Sequence, residues 1–216
     1  VILLDKLIPY LRKRIQKKTK IYNNIEINRI DNKKGIIYSG KKEFKYYDLI
    51  INTTYEKPNL GLSKKKFNIK FELTGMVKIQ KPFSEQIGLT IMDGDYCSLY
   101  PQNEKESTIS SVKFTPIYKS TSFKKINNKI QTLNKLKVKQ KIINHASKYI
   151  NLKNLKMKSE LILSHKVKFR DDKGDNRISA YIIENKLISI MCGKIDAVAV
   201  IYEKINKIIN TKLKNE

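Results

Sequence analysis

The chain has 216 residues, with 45 Lys or Arg against 20 Asp or Glu, for a formal net charge of +25, and 40% of its residues are hydrophobic. That apolar content is enough for a sizeable core, which excludes a disordered tail, a small disulfide scaffold and collagen-like or mucin-like chains. The only cysteines, Cys97 and Cys192, stand far apart with no CxxC and no His at zinc-finger spacing, so a reducing compartment is expected and no metal site.

The charge raises nucleic acid as a partner, because clustered cations neutralise phosphates. Arginine occurs only at positions 12, 14, 29, 170 and 177, leaving 40 lysines alongside abundant Ile and Asn. Adenine- and thymine-rich codons produce that mixture, and lysine runs from Lys6 to Lys214, so a dedicated nucleic-acid face is not the leading expectation. No apolar run reaches the ~18 residues of a membrane span, and the opening Val1 to Leu4 is too short for a signal core. A soluble cytoplasmic protein is expected. A chain that opens at Val1, without Met or cap and directly in a helical pattern, is expected to be a piece of a longer protein.

Leu4, Leu7, Ile8, Leu11 and Ile15 predict an amphipathic helix over residues 4–18. Residues 21–30 and 36–38, joined by a turn ending at Gly35, predict a β-hairpin. The run Asp48-Leu49-Ile50-Ile51-Asn52-Thr53-Thr54 suits a buried strand of a parallel sheet, whose carboxyl end is where ligands gather. Residues 67–80 alternate, with Phe67, Ile69, Phe71, Leu73, Val77 and Ile79 on one side, and predict a long strand with one buried face.

Short strands over 88–92, 95–100 and 107–115 predict an antiparallel meander. Residues 123–150 predict Lys-rich helices broken near 137–139, with Ile126, Ile130, Leu133, Leu136, Ile142, Ile143, Ala146 and Ile150 as the apolar stripe. Then come a strand near 161–169, an Asp-rich loop over 171–176, strands near 178–183 and 187–191, and a helix over 195–212. This order predicts a mixed α and β fold, with the meander inserted between two pieces of a nucleotide-binding-type layer.

Gly193, after a strand and before a helix, places free backbone N–H groups and the positive end of a helix dipole past a strand's carboxyl end, although a strand-to-helix turn needs such a residue on steric grounds alone. Met191-Cys192-Gly193-Lys194-Ile195-Asp196 resembles the carboxy-terminal flavin motif of FAD-dependent oxidoreductases of the D-amino-acid oxidase superfamily, notably a bacterial branch with a Gly-Lys-Ile-Asp signature. Residues 48–55 resemble that family's D-x-V-I-N-A-T strand. Residues 90–101 resemble the branch's D-G-x-x-x-S-L-x-P hairpin, with Lys113-Phe114-Thr115-Pro116 in the place of its Y-T-P. Asp175-Asn176-Arg177 resembles a D-x-R-P.

The match is collinear over nearly the whole chain. Departures are Ile178 in place of Pro, Cys192 in place of Gly, and the absence of Gly-x-Gly-x-x-Gly.

The resemblance implies an α+β protein: an α/β FAD-binding layer over residues 1–55 and 155–216, and an inserted antiparallel β-sheet substrate domain over 56–154. It is D-amino-acid-oxidase-like and truncated. The pyrophosphate-binding unit is expected upstream of Val1, within roughly 100 to 160 further residues.

The resemblance further implies hydride removal from a C–N or C–O bond of a small polar substrate. Asn52, Thr53, Thr54, Gly193, Lys194, Ile195 and Asp196 would lie at the FAD. Lys194 is either a counter-charge to the reduced ring or a solvated lysine. Arg177, with its bidentate fork, would meet an anionic substrate group or pair with Asp172 or Asp175. Tyr96, Ser98 and Tyr100 alternate onto one face and would line a substrate pocket or stand as ordinary edge residues.

No catalytic base is assigned: His165, on the apolar side of its strand, is expected in the core, and His145 has no nameable partner. Cys192 is expected to be a small buried thiol rather than a covalent flavin attachment. Two alternatives belong to other classes: a basic nucleic-acid-binding domain, expected to show one continuous positive groove, and a catalytically silent flavin-fold interaction module. The oxidoreductase reading expects a deep apolar cleft beside Gly193.

Overall fold

The computed structural model describes residues 4–81, 83, 85, 87–92, 95–152, 159–171, 179–193 and 197–214. The fold is mixed α+β, with twelve strands and four helices among these residues. Two compact units divide it, residues 1–21 with 71–166 and residues 22–70 with 167–216.

In the first unit, helix α1 (Leu4–Gln16) opens the chain. Strand β5 (Ile69–Gln80), which begins two residues before this unit, is central to a sheet ordered β10 (Glu160–Phe169), β5, β8 (Glu106–Ser111), β7 (Cys97–Pro101), β6 (Leu89–Ile91), with β9 (Pro116–Ser120) also paired to β5. The pairs β5·β8, β7·β8 and β6·β7 are antiparallel, which realises the predicted meander. One difference is β9. It lay unseen in the sequence because its Pro116 and Lys119 mask a short strand, yet it pairs with Phe71 to Thr74 across a bulge at Leu73/Thr74.

Val77, Ile79, Leu99 and Ile109 meet Ile142 and Ala146 of helix α3 (Lys135–Ala146) in the unit's core. The alternation predicted one buried face for β5, but Glu72 and Thr74 are buried as well. Thr74 donates to the Ser164 carbonyl at 3.1 Å, and Glu72 pairs with Lys119 at 3.5 Å, so both polar groups are satisfied.

Helix α2 (Phe123–Gln131) ends before the predicted break, and α3 restarts at Lys135 behind an N-cap in which Asn134 accepts from the Lys137 N–H at 2.9 Å. The restart resets the helical phase. Leu136, assigned to the apolar stripe on the assumption of a later break, is 68% exposed for that reason.

In the second unit, β1 (Arg29–Asp31), β2 (Ile36–Ser39) and β3 (Lys42–Phe44) form an antiparallel sheet. Of the predicted first strand, residues 21–30, only Arg29 and Ile30 fall in β1, and Asn24 at φ 57° turns the chain before it. The turn is built as the sequence reads: Asp31 Oδ1 accepts from the Lys33 and Lys34 N–H groups, and Gly35 sits at φ 71°, where a Cβ would collide with the Tyr47 carbonyl. A second sheet has the order β11 (Ala180–Glu184), β12 (Leu187–Met191), β4 (Ile50–Asn52), antiparallel then parallel. Helix α4 (Val198–Lys214) packs Ile201 and Ile205 against Ile188.

Candidate functional site

The parallel pairing of β4 with β12 sets Ile51 beside Ile188 and Asn52 beside Ser189, so both strands finish at the same end of the sheet. Alternation gives each strand two different faces. Ile51 and Ile190 point to one, while Asn52, Ser189 and Met191 are buried on the other. Between the first face and α4 lies a cleft of about 480 Å³. Thr53 and Tyr55 beyond β4, and Cys192 beyond β12, carry its wall past the strand ends, and Ile201, Tyr202 and Ile205 supply the helix side. The wall is almost wholly apolar, with Thr53, Tyr202 and Asn206 as its polar side chains apart from Tyr55.

Tyr55 is held by its own backbone conformation and by the last residues of β10, which belong to the same unit. It adopts φ 56°, a conformation that costs a non-glycine residue on the order of 1 kcal/mol, and its hydroxyl accepts from the Val167 N–H at 3.0 Å. Asn52 works from the buried side: its Nδ2 donates to the Lys57 carbonyl at 3.0 Å, and its Oδ1 accepts from the Thr54 N–H at 3.0 Å and the Thr54 hydroxyl at 2.8 Å. Ser189 donates to the Pro58 carbonyl. Asn52 and Thr54 therefore brace the turn that presents Thr53 and Tyr55, and Thr53 alone of the three predicted residues lines the cleft.

Gly193 directly follows the lining residue Cys192, which is half-buried and accepts from the Ser179 hydroxyl at 3.2 Å. Cys192 is thus less enclosed than a core thiol. Lys194, Ile195, Asp196, Arg177, Asp172, Asp175 and the turn at Asp93 and Gly94 lie outside the described residues.

Tyr96, Ser98 and Tyr100 belong to the other unit. They share the solvent face of β7, where the register sets Ser98 beside Thr90 and Ser110, and the Tyr100 hydroxyl is hydrogen-bonded to Thr90. Tyr96 and Tyr100 are exposed, and Cys97 and Leu99 occupy the buried face.

Two buried polar contacts, one in each unit, had no readable signal. Glu184 is buried behind the sheet and accepts from the Ser63 hydroxyl and from the Ser63 and Lys64 N–H groups, as well as from Asn32 Nδ2 at 2.9 Å. The Ser63 hydroxyl first, then the Lys64 N–H, pull its carboxyl down to about 2. His145 has its partner in buried Ser111, whose Oγ lies 3.0 Å from Nδ1, with Phe114 and Tyr149 packed edge-on to the ring. Neither contact crosses a short sequence distance, which is why neither was legible. His165 is half-buried and edge-on to Phe123.

A second cleft, of about 690 Å³ in the first unit, is lined by Lys78, Lys105, Glu106 and Glu160, and both of its carboxylates are taken up by Lys78, at 3.3 and 3.1 Å. Among the described residues no group of three His, Cys, Asp or Glu side chains could hold a metal ion. None of the described helices is long and apolar enough to cross a membrane. No protein-family model matches the chain, and no curated protein matches its sequence.

Proposed function

We propose that the chain is the carboxy-terminal part of an FAD-dependent oxidoreductase of the D-amino-acid oxidase type, acting on a C–N or C–O bond of a small polar substrate. The observation that carries this reading is the apolar cleft at the carboxyl ends of the parallel pair β4 and β12, walled by Thr53, Tyr55 and Cys192 and adjoining Gly193. Ligands of open α/β sheets gather beyond strand carboxyl ends, and an aromatic ring system suits an apolar slot of this volume with few polar groups.

The lining fits the ring of a flavin and not its diphosphate. Among the described residues no cationic side chain lines the cleft, and no Gly-x-Gly-x-x-Gly occurs in the sequence. We therefore assign the diphosphate to a strand, glycine-rich turn and helix outside these 216 residues. β4, which ends its sheet among the described residues, offers an edge for that strand.

A bound flavin would supply the hydride acceptor and the route for the electrons to a further acceptor. Thr53 and Tyr55 would orient the ring from the β4 side. Ile190 and Ile201 would exclude water from it. The resemblance would also bring the backbone N–H groups after Gly193 and the Lys194 ammonium to its edge, where they would stabilise negative charge. Tyr96, Ser98, Tyr100 and Arg177 are proposed as substrate contacts on the resemblance alone, and none of the described three lines the cleft.

The test is a pair of cleft variants in the protein expressed from its whole reading frame. Ile190→Trp fills the slot and Gly193→Val blocks backbone approach. Both are expected to lose most bound flavin while retaining the far-UV circular dichroism of the parent. Full flavin content in both would reject the cleft as the flavin site.

A further inference from the structure

Lysine is spread along the chain, but acid is not. Between Glu106 and Glu160 there is no Asp or Glu, while the same stretch holds 13 lysines and no arginine, so about half of the net charge of +25 resides in 53 residues. Codon composition accounts for abundant lysine. It does not account for the loss of every carboxylate from one segment of a chain that has 20 elsewhere.

Most of that segment's described lysines stand on α2 and α3 and the turn after them. Lys124, Lys125, Lys135, Lys137, Lys141 and Lys148 are exposed, and none of the six forms an ion pair among the described residues. The arrangement is unfavourable to the helices themselves. Lys125 and Lys129, Lys135 and Lys139, and Lys137 and Lys141 are like charges at i and i+4, where they repel. Neither helix has an acidic residue in its first turn, and each has lysines there, against the sign of the helix dipole. α1 of the same unit follows the opposite and favourable rule, with Asp5 in its first turn and Lys13 and Arg14 in its last.

We propose that α2 and α3 form a docking surface for an anionic phospholipid bilayer, lying on the membrane without crossing it. Bilayer phosphates relieve the repulsion between uncompensated lysines, and polybasic helical surfaces acquire affinity for anionic lipid in this way. Leu136 separates this reading from nucleic acid. It stands 68% exposed at the start of α3 between Lys135 and Lys137, an apolar side chain that can enter the headgroup boundary and that a phosphate backbone does not need. The segment also lacks arginine, whose fork serves bidentate recognition. Phe114 and Tyr118 lie beneath Lys141 and Lys129, at 5.8 and 6.0 Å, and among the segment's described rings only Tyr149 is exposed, edge-on to His145, which is no platform for stacking successive bases.

The test is vesicle flotation of the full chain with neutral phosphatidylcholine vesicles and with vesicles containing about 30% phosphatidylglycerol, an anionic fraction chosen to give a negative surface potential. The chain is expected on the anionic vesicles only. Reversing Lys124, Lys125, Lys137 and Lys141 to Glu is expected to weaken binding at least about tenfold, and reversing the exposed Lys33, Lys34, Lys41 and Lys42 less than about threefold. The chain has no Trp, so Leu136→Trp is a single reporter whose emission shifts to the blue on anionic vesicles, independent of whether the charge-reversed variants fold. No flotation, equal loss in both charge-reversed variants, or an unshifted emission overturns the proposal. So does tighter binding of RNA at equal phosphate concentration through the same four lysines, which would install nucleic acid as the partner.

Discussion

Asn32 Nδ2 donates to Glu184 Oε1 at 2.9 Å across 152 residues of chain. The same Asn32 gives its other Nδ2 hydrogen to the Gly61 carbonyl at 2.7 Å and accepts from Asn185 Nδ2 at 2.7 Å. One buried amide thus ties together the first hairpin turn, the segment behind the second sheet and the β11 to β12 turn. The back of the sheet that presents the cleft is held by this network.

Acid should dissolve the network before the rest of the unit. The folded-state pKa of Glu184 is depressed to about 2, below the ~4.3 of an unfolded Glu, so its contribution is present above the unfolded value and is lost as pH falls through about 4 towards 2. Denaturant midpoints measured from pH 7 to pH 2.5 should fall more steeply for the parent than for Glu184→Gln. At pH 7 the variant should be the less stable of the two. Parallel pH profiles would remove Glu184 from this role.

Two glycines with the same backbone sign should respond differently to alanine. Gly61, at φ 84°, would place a Cβ 2.7 Å from Ile30 Cβ and 3.0 Å from Leu187 Cδ2, whereas Gly40, at φ 58°, has nothing within 4 Å. Gly40→Ala should cost about 1 kcal/mol from backbone conformation alone, and Gly61→Ala about 2 to 4 kcal/mol because overpacking is added. Thermal denaturation of both decides it. Equal costs would mean that the site at Gly61 relaxes freely.

Ser111 serves three neighbours. Its Oγ pairs with His145 Nδ1, it receives the Phe114 N–H at 3.3 Å, and its own N–H donates to Thr115 Oγ1 at 2.8 Å. Ser111→Ala leaves a buried imidazole nitrogen unpartnered and should destabilise by about 1 to 3 kcal/mol. In a double-mutant cycle with His145→Phe the coupling should be about 1 kcal/mol or more. A coupling near zero would show that the two side chains are merely adjacent.

What the sequence disclosed follows from the range of the signals. Period-two alternation placed β5 and β10, and the apolar run ending in Asn52 disclosed a parallel strand before its partner β12 was known. Thr53 is placed just past the end of that strand for the same reason, and it lines the cleft there. Long-range polar contacts leave no local pattern, so the Glu184 network and the Ser111 partner of His145 were invisible. Asn52 is a different case: its position at a strand end suggests ligand contact, and its side chain is hydrogen-bonded to the Lys57 carbonyl and Thr54. Leu136 shows the opposite failure, a periodicity carried across a helix break that Asn134 imposes.

The flavin assignment stands or falls most directly on the flavin content of the protein purified from its whole reading frame, released by heat and quantified per chain. The account predicts close to one FAD per chain, lost in Gly193→Val and in Ile190→Trp. A folded parent protein that carries no flavin, and acquires none when FAD is added, would contradict it.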